Sequence, residues 1–459
     1  MNPNLTRNIK RRVIVNRKKL LSLTLSLVFL LALLTGVSAV TAAEMPYGLK
    51  EGMPYKGTKL NFLVHNAAQS QAQAKRVGEF TELTGIEVDF LMVPYPSLRE
   101  KITADAVAGT GAIDLYCFLD GWGPSMTGFL TPLNDFLKAD GIDLSKKLPP
   151  AYIKGGTYED ITYGIPTRGH PQLLLYRKDL LEQAGVEVPK TWKELIAAAK
   201  AIQEKTGKDG IAMYYGKGNA AQNLFLWYAF LKSNGEDILN DKMMPTFNSP
   251  AGIEATQYYV DLLLKHKVAS PGSKFFKEYE ASQAVAQDNA AMVIVWWWHF
   301  GVLTNPEKAK DVVANNMGFA PVPAWEGKGQ ATLALSMPVG INQASKNKEA
   351  AWEFLKWLTN PDLEKANFLD KSDPKTRTIV VVQKDNLKDP EINKLSGGMH
   401  EAAAASLAVS DTFPMLPEWP EVANSLEVAI SNIAGGADTK TEMDKAAKEV
   451  REIMKRSGY

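Results

Sequence analysis

The chain has 459 residues, of which 45% are hydrophobic and 22% are charged, and its formal net charge at pH 7 is +1. These are ordinary values for a globular protein, and the length predicts two or three core units instead of one. The single cysteine, Cys117, excludes an intramolecular disulfide, so a large core must hold the fold together. Cys117 lies in an apolar run and is expected to be a buried strand residue.

The first forty residues have the composition of a secretory signal peptide. Residues 1–19 contain seven basic residues and no acidic one, and an apolar run from 20 to 40 leads into small residues that end at Ala43. We predict cleavage after Ala43. An uncleaved membrane anchor is the alternative, because the apolar run is nearly long enough to span a bilayer. No cysteine stands at the cleavage site for lipid attachment, so we expect an exported protein that is free in the periplasm.

The exported chain is mildly acidic. Removal of residues 1–43 takes away basic residues only and leaves a net charge of −6. Nucleic acid and anionic lipid surfaces attract basic proteins, so we expect neither as a partner. A net charge of −6 needs no functional explanation, because a charge of this size also keeps a protein soluble.

Strands and helices alternate in the first part of the exported chain. Strands are predicted at residues 60–64, 86–93 and 113–119. Helical periodicity runs from Ser70 to Thr84 and stops at Gly85. A capping box from Ser97 to Glu100 predicts the start of a second helix. This alternation predicts an α/β fold with a parallel sheet covered by helices.

The same alternation continues after residue 165. Helices are predicted at residues 191–207, 250–267 and 349–358, and a buried strand at 292–295. A second capping box, from Thr191 to Glu194, begins the first of these helices. Ser249 is expected to cap the next helix, because a proline follows it at the first helical position.

Several catalytic and cofactor-binding motifs fail on spacing. The glycines from Gly210 to Gly218 resemble a phosphate loop, but they are one residue too far apart and no Ser or Thr follows Lys217. Gly109 and Gly111 lack the third glycine of a dinucleotide site. The five histidines have no metal-binding spacing, so we expect no cofactor, no metal and no catalytic residue. An exported carbohydrate-active enzyme stays open, because paired catalytic carboxylates have no fixed spacing.

Three blocks of sequence are specific enough to identify a family. The longest is YGIPTRGHPQLLLYRKDLLEQAG at residues 163–185, which leads into PKTWKEL at 189–195. The others are FTELTGIEV at residues 80–88 and GFAPVP at 318–323. Together they resemble the extracellular solute-binding proteins of ABC-type importers, in the cluster that includes maltose-binding protein, over nearly the whole exported chain.

The resemblance implies the two-lobed periplasmic-binding-protein fold, an α/β fold with a hinge between its lobes. Hinge crossings are expected at residues 164–168, 319–323 and about 372–374. Lobe one is expected to contain residues 58–163 and 322–371, and lobe two residues 169–318 and 375–459. The family also implies a monomer that captures a small-molecule sugar between its lobes and delivers it to an ABC permease in the inner membrane.

Residues that follow the carboxyl ends of strands are the first candidates for a binding site, because ligands of open α/β sheets bind there. This rule selects His65, Asn66, Asp120, Trp122, Trp296, Trp297 and Trp298. Side chains alternate along a strand, so the three consecutive tryptophans cannot all point one way and at least one is expected to be structural.

These residue types are suited to a sugar. An indole face covers the apolar face of a sugar, while carboxylates, amides and guanidinium groups bind its hydroxyls. Trp298 is favoured, because its position matches the family's stacking tryptophan. Asp120 is expected to accept hydrogen bonds from two neighbouring hydroxyls, with turn capping as the alternative. Burial under the following loop is the alternative for Trp122.

The resemblance and the aromatic content add six further candidates, namely Arg168, His170, Tyr214, Trp227, Arg377 and Trp419. A hinge salt bridge or hydrogen bond is the alternative for Arg168 and His170. Some relatives carry an acid near His170, so its contact with a solute would differ chemically. Burial in the core explains Tyr214 and Trp227 equally well.

Three functions remain open at this level. A sugar-binding protein is favoured. The same fold could bind a polyamine, a peptide, a chelated metal or a phosphate ester, although neither an acidic cluster nor a basic cleft is evident in the sequence. An enzyme would turn its substrate over. The identity and chain length of the sugar are not determined.

Overall fold

A computed structural model describes residues 45–218, 221–370, 372 and 379–459. The predicted signal peptide, Arg377 and the third hinge crossing beyond Ser372 lie outside the described residues. The chain divides after Gly48: a 3-10 turn covers Pro46–Gly48, and Leu49–Tyr459 forms one compact unit.

Most strands of this unit lie in one sheet. Their bounds are β1 (Lys59–His65), β2 (Glu87–Val93), β3 (Leu115–Cys117), β4 (Thr157–Tyr158), β5 (Ile161–Thr162), β6 (Ile165–Arg177), β7 (Met292–Trp296), β8 (Met317–Ala320), β9 (Thr332–Ile341) and β10 (Ser410–Asp411). The central order is β2-β1-β3-β9-β6-β7, with β10 beside β9 and β8 beside β6. A separate hairpin consists of β4 and β5.

Three predicted strands are confirmed to within one residue, and the fourth is shorter than predicted. The strands expected at 60–64, 86–93 and 292–295 are β1, β2 and β7. The strand expected at 113–119 keeps its pairing only over Leu115–Cys117. Cys117 is buried there, as predicted, and burial raises the pKa of its thiol to about 12.

The sheet is mixed, not parallel. β1 is parallel to β2 and to β3, which confirms the prediction for this part. β9 is antiparallel to β3, and β6 is antiparallel to β9, β7 and β8, so the prediction is wrong for the rest. Antiparallel neighbours need no crossover helix. The alternation of helices and strands along the sequence therefore does not reveal their direction.

β6 connects the two parts of the sheet. Its first segment, Ile165 to Pro171, pairs with β9, and its second, Gln172 to Tyr176, pairs with β7. The register shifts between Pro166 and Arg168, which marks a β-bulge. Bulges redirect side chains and concentrate near functional sites.

The helices between these strands are mostly short. The α-helices are Ala68–Thr84, Tyr95–Ala108, Asn134–Ala139, Leu144–Lys147, Pro150–Gly155, Lys178–Ala184, Trp192–Thr206, Leu224–Ser233, Pro250–Leu264, Glu278–Ala286, Phe300–Leu303, Asp311–Ala314, Lys348–Leu358, Pro361–Leu369, Lys384–Leu387, Pro390–Leu395, Met399–Leu407, Trp419–Ala434 and Thr439–Arg456. Segments of 3-10 helix cover Asp120–Phe129, Pro271–Lys274 and Trp297–His299. Of the helices in the described ranges, none is both long and apolar enough to cross a bilayer.

One of the two predicted capping boxes is confirmed. Thr191 Oγ1 accepts from the backbone N–H of Glu194, whose carboxylate accepts from the backbone N–H of Thr191. The other prediction is wrong, because the helix Tyr95–Ala108 begins two residues before Ser97. Pro96 has the fixed φ that suits a first helical turn, so the helix starts ahead of the box.

Arg177, the last residue of β6, is the centre of a buried ion cluster. Its side chain is 1% exposed. Two N–H groups donate to the carboxylate of Asp179 at 2.8 and 2.6 Å, and a third donates to Asp288 at 2.5 Å. Lys208 also contacts Asp288, at 2.7 Å. This cluster fixes the end of β6 to the turn that precedes β7.

We expect Arg177→Ala to lower the free energy of unfolding by about 3 kcal/mol, because the partly buried carboxylate of Asp179 loses its cation and that of Asp288 keeps only Lys208. Urea unfolding followed by circular dichroism measures the change. The matched control is Arg456→Ala, which removes an exposed 2.7 Å pair with Glu421 and should cost no more than about 1 kcal/mol. If the free energy of unfolding falls equally in both variants, the role given to Arg177 is contradicted.

Candidate functional site

His65, the last residue of β1, lies beside Arg168 and Tyr95. Arg168 Nη1 donates to His65 Nδ1 over 3.2 Å, and the rings of His65 and Tyr95 meet edge to face with centroids 5.4 Å apart. A ring that accepts at Nδ1 is neutral and carries its proton on Nε2. Burial, together with the positive charge of Arg168, lowers the pKa of His65 to about 4.

Tyr95, Trp122 and Arg99 form a layered wall next to His65. The rings of Tyr95 and Trp122 are stacked, with centroids 5.9 Å apart and planes inclined by 24°. The guanidinium of Arg99 lies 5.8 Å from the centre of the Trp122 ring. Trp122 was a sequence candidate, whereas Tyr95 and Arg99 were missed. Tyr95 follows the carboxyl end of β2, so the strand-end rule would have found it had it been applied there.

Arg168 lies on β6 directly after the bulge. Its side chain is only partly solvent accessible, and protein surrounds it on most sides. Burial lowers the pKa of its guanidinium, which stays charged at neutral pH. Within the described ranges, no carboxylate lies at ion-pair distance from Arg168, and the bond to His65 is its one side-chain hydrogen bond.

His170 follows two residues later and is therefore on the same face of β6 as Arg168. Trp297 Nε1 donates to His170 Nδ1 over 3.0 Å and to the carbonyl of Gly169 over 2.9 Å. Burial lowers the pKa of His170 well below its usual value of 6.5, and the positive charge of Arg168 adds to this effect. Five separate segments of the chain therefore meet around Arg168, and the partly exposed surface between His65, Trp122, Arg168 and His170 is called the recess.

Asp120 lies behind the wall of this recess. It is 1% exposed, and its carboxylate accepts from Gly121 N at 2.7 Å, from Ser336 N at 2.5 Å and from Ser336 Oγ at 3.2 Å. Burial raises the pKa of Asp120 to about 7, against the effect of these hydrogen bonds. In this conformation protein donors occupy the positions predicted for sugar hydroxyls, as the turn-capping alternative describes. The bidentate sugar contact stays a prediction.

The three consecutive tryptophans differ in exposure. Trp296 and Trp297 are buried, at 4% and 0% exposure, whereas Trp298 is partly exposed. The ring of Trp298 stacks on His299 with centroids 3.8 Å apart, and His299 Nε2 contacts Glu278 Oε1 at 2.5 Å. Two of the three are therefore structural, and Trp298 is the one with surface available to a solute.

The remaining candidates lie away from the recess or in the core. Asn66 is exposed and accepts from Gln71. Tyr214 and Trp227 are both 0% exposed, and each is hydrogen-bonded inside the protein, so burial accounts for them. Trp419 is 7% exposed and its ring lies 4.5 Å from that of Phe413. Among the described residues, no group of three or more His, Cys, Asp or Glu side chains is placed to hold a metal ion.

Comparison with known proteins gives consistent matches. The family model of bacterial extracellular solute-binding proteins matches residues 65–365. The chain is 27% identical over 416 residues to the "probable amino-acid ABC transporter periplasmic-binding protein y4oP" of Sinorhizobium fredii, covering 88% of this chain and 91% of that protein. It is 26% identical over 283 residues to the arabinooligosaccharide-binding protein of Halalkalibacterium halodurans, covering 60% of each. A solved solute-binding protein from Agrobacterium radiobacter K84, in complex with ribitol, is 25% identical with a TM-score of 0.70, covering 87% of this chain and all of that one.

His170 should make the fold sensitive to acid. Its folded pKa lies below the unfolded value, so below pH 6.5 the unfolded chain binds more protons and stability falls. Between pH 7.5 and 5.0, we expect the free energy of unfolding to fall by about 2 kcal/mol less in His170→Gln than in the wild type. The reason is that the glutamine oxygen still accepts a hydrogen bond from Trp297 but does not bind a proton in this range. Urea unfolding at the two pH values measures this.

The control for this experiment is His266→Gln. His266 is partly exposed and lies outside the recess, just after the helix Pro250–Leu264, so its replacement should reduce the pH dependence less. If the free energy of unfolding changes with pH equally in the wild type and in His170→Gln, then His170 is not held neutral by its surroundings.

Proposed function

Because the chain belongs to the bacterial extracellular solute-binding protein family, we propose that it is the solute-binding component of an ABC importer and captures a sugar or polyol. The observation that carries the proposal is the recess around His170. There a guanidinium and two imidazoles come together from distant parts of the chain, and the partly exposed Trp298 directly follows Trp297, which donates to His170. Such N–H groups bind hydroxyl oxygens, and an indole face covers the apolar side of a sugar ring.

The named relatives support this class of solute. An arabinooligosaccharide-binding protein and a ribitol complex are both similar to this chain. The name of a third relative refers to an amino acid. An α-ammonium group would need a free carboxylate, and both Asp120 and Glu278 are engaged in hydrogen bonds within the protein. A sugar or polyol therefore fits the recess better than an amino acid.

We propose that the recess lies between two lobes that close on the solute. Lobe one is assigned residues 58–163 and 322–371, and lobe two residues 169–318 and 375–459. The crossings are then 164–168, 319–323 and 372–374. The bulge between Pro166 and Arg168 supports this assignment, because an irregular strand bends more easily than a regular one. Closure would follow from contacts that both lobes make with the same solute.

We also propose that residues 1–43 direct export and that the mature protein is a periplasmic monomer without catalytic activity. Its membership of an extracellular family supports export. A glycosidase needs two carboxyl groups free to act on the substrate. Two buried carboxyl groups, Asp120 and Glu278, are both held by protein partners. Delivery to an ABC permease completes the proposed role.

A thermal-shift screen tests the function. Mono- and oligosaccharides and polyols are added to the protein purified from the periplasm of expressing cells, and each solute is analysed for products afterwards. A solute at about 100 times its dissociation constant should add about 2.7 kcal/mol of stability and be recovered intact. Consumption of the solute would indicate an enzyme. A response only to amino acids, peptides or polyamines would overturn the sugar assignment.

Trp298→Ala should weaken the binding of that solute about tenfold, because roughly 1.4 kcal/mol of ring contact is lost. Titration calorimetry measures the affinity. The matched control is Trp325→Ala, since Trp325 is also partly exposed but packs against Tyr258, with ring centroids 5.0 Å apart. Unchanged affinity in the Trp298 variant would remove this residue from the site.

A further inference from the structure

The charged and imidazole side chains of the recess offer hydrogen-bond donors. Arg168 uses one of its five N–H groups, on His65. His65 and His170 both accept at Nδ1, so each presents an Nε2–H that has no partner among the described residues. None of these nitrogens is among the buried polar atoms that are sealed in the protein without a partner, so they remain open to the recess.

The acceptors that could balance these donors are already in use. The carboxylate of Asp120 accepts three hydrogen bonds from Gly121 and Ser336. Glu278, the other acid near this region, is 7% exposed and contacts His299. The guanidinium of Arg168 thus carries an enclosed positive charge whose counter-ion is absent from the described part of the protein.

We propose that the solute itself supplies this counter-ion, so that the preferred ligand is a sugar acid whose carboxylate binds Arg168. The inference rests on the proposed function, and it defines the class of sugar more narrowly. A carboxylate can accept two parallel N–H bonds from a guanidinium, which fixes its orientation as well as its charge. The remaining hydroxyls then face the two imidazole Nε2–H groups, and Trp298 is left to cover a ring face.

A neutral sugar would leave the charge of Arg168 unpaired. Binding removes water from the recess, and an enclosed ion that loses water without gaining a counter-ion raises the free energy of the complex. A phosphate ester carries up to two negative charges against one enclosed guanidinium. Arg99, whose guanidinium lies near the Trp122 ring, is exposed, so solvent and salt screen its charge. The charge of one carboxylate therefore matches the recess best.

The decisive comparison uses ligands that differ only in charge. Titration calorimetry on the protein purified from the periplasm compares galacturonate and glucuronate with galactose and glucose, and with the methyl esters of the two acids. We expect each acid to bind about 10- to 100-fold more tightly than its neutral sugar and its ester, which is the range for a charge-assisted pair. Glutamate and galactose 1-phosphate serve as anions of other chemistry and should bind more weakly.

A second test changes the protein and measures the ratio of the affinity for the sugar acid to the affinity for its methyl ester. In Arg168→Gln the ratio of acid to ester should fall to about one. In Arg168→Lys it should stay above one, because the charge is kept while the paired N–H geometry is lost. Arg456→Gln, at an exposed ion pair outside the recess, is the control and should keep the wild-type ratio. Thermal unfolding without ligand verifies that each variant is folded.

The outcomes separate this inference from the proposed function. Equal or tighter binding of neutral sugars, or preference for the phosphate, would overturn the sugar acid while the sugar-binding function stands. An acid-to-ester ratio that survives in Arg168→Gln would show that another cation binds the carboxylate and would equally overturn the assignment. If no sugar, polyol or sugar acid binds to the protein, the proposed function itself is contradicted.

Discussion

The antiparallel pairing of β6 with β9 is the constraint on which the rest of the structure depends. These strands are paired from Ile165 opposite Val339 to Pro171 opposite Ala334, and each also pairs with a different part of the sheet. Any side chain on the paired segment therefore lies where the two parts meet. The helix Pro150–Gly155 packs closely on this segment, because a Cβ atom at Gly169 would collide with the ring of Tyr152.

The electrostatics of the recess follow from that pairing. Arg168 and His170 come from the paired segment of β6, and the carboxylate of Asp120 is bound to Ser336 on β9. Because Asp120 serves the protein, Arg168 is left without an acid among the described residues. The two imidazoles supply no negative charge in either protonation state, and burial keeps both neutral. The recess is therefore rich in hydrogen-bond donors, which suits a solute that is rich in hydrogen-bond acceptors.

Aromatic packing determines which tryptophan remains accessible. The ring centroids of Trp296 and Phe225 are 4.9 Å apart. The ring of Phe225 also contacts that of Phe413, which packs against Trp419. This chain of rings buries one side of the segment, and the indole N–H of Trp297 is used by β6. Trp298, which begins beyond the strand, keeps part of its surface. The same packing explains why several aromatic candidates serve the core.

Local signals in the sequence determined the individual elements, the family and many of the residues near the site. The capping box at Thr191 and the strand at β1 could be predicted because a cap and an apolar run act within a few residues. The tertiary structure decided the direction of β6 and β9, the enclosure of Asp120 and the inclusion of Tyr95. Each of these depends on partners more than fifty residues away or on another strand, as Ser336 is for Asp120. A sequence pattern reports what one residue can do, whereas only the fold decides whether its hydrogen bonds are spent on the protein or left for a solute.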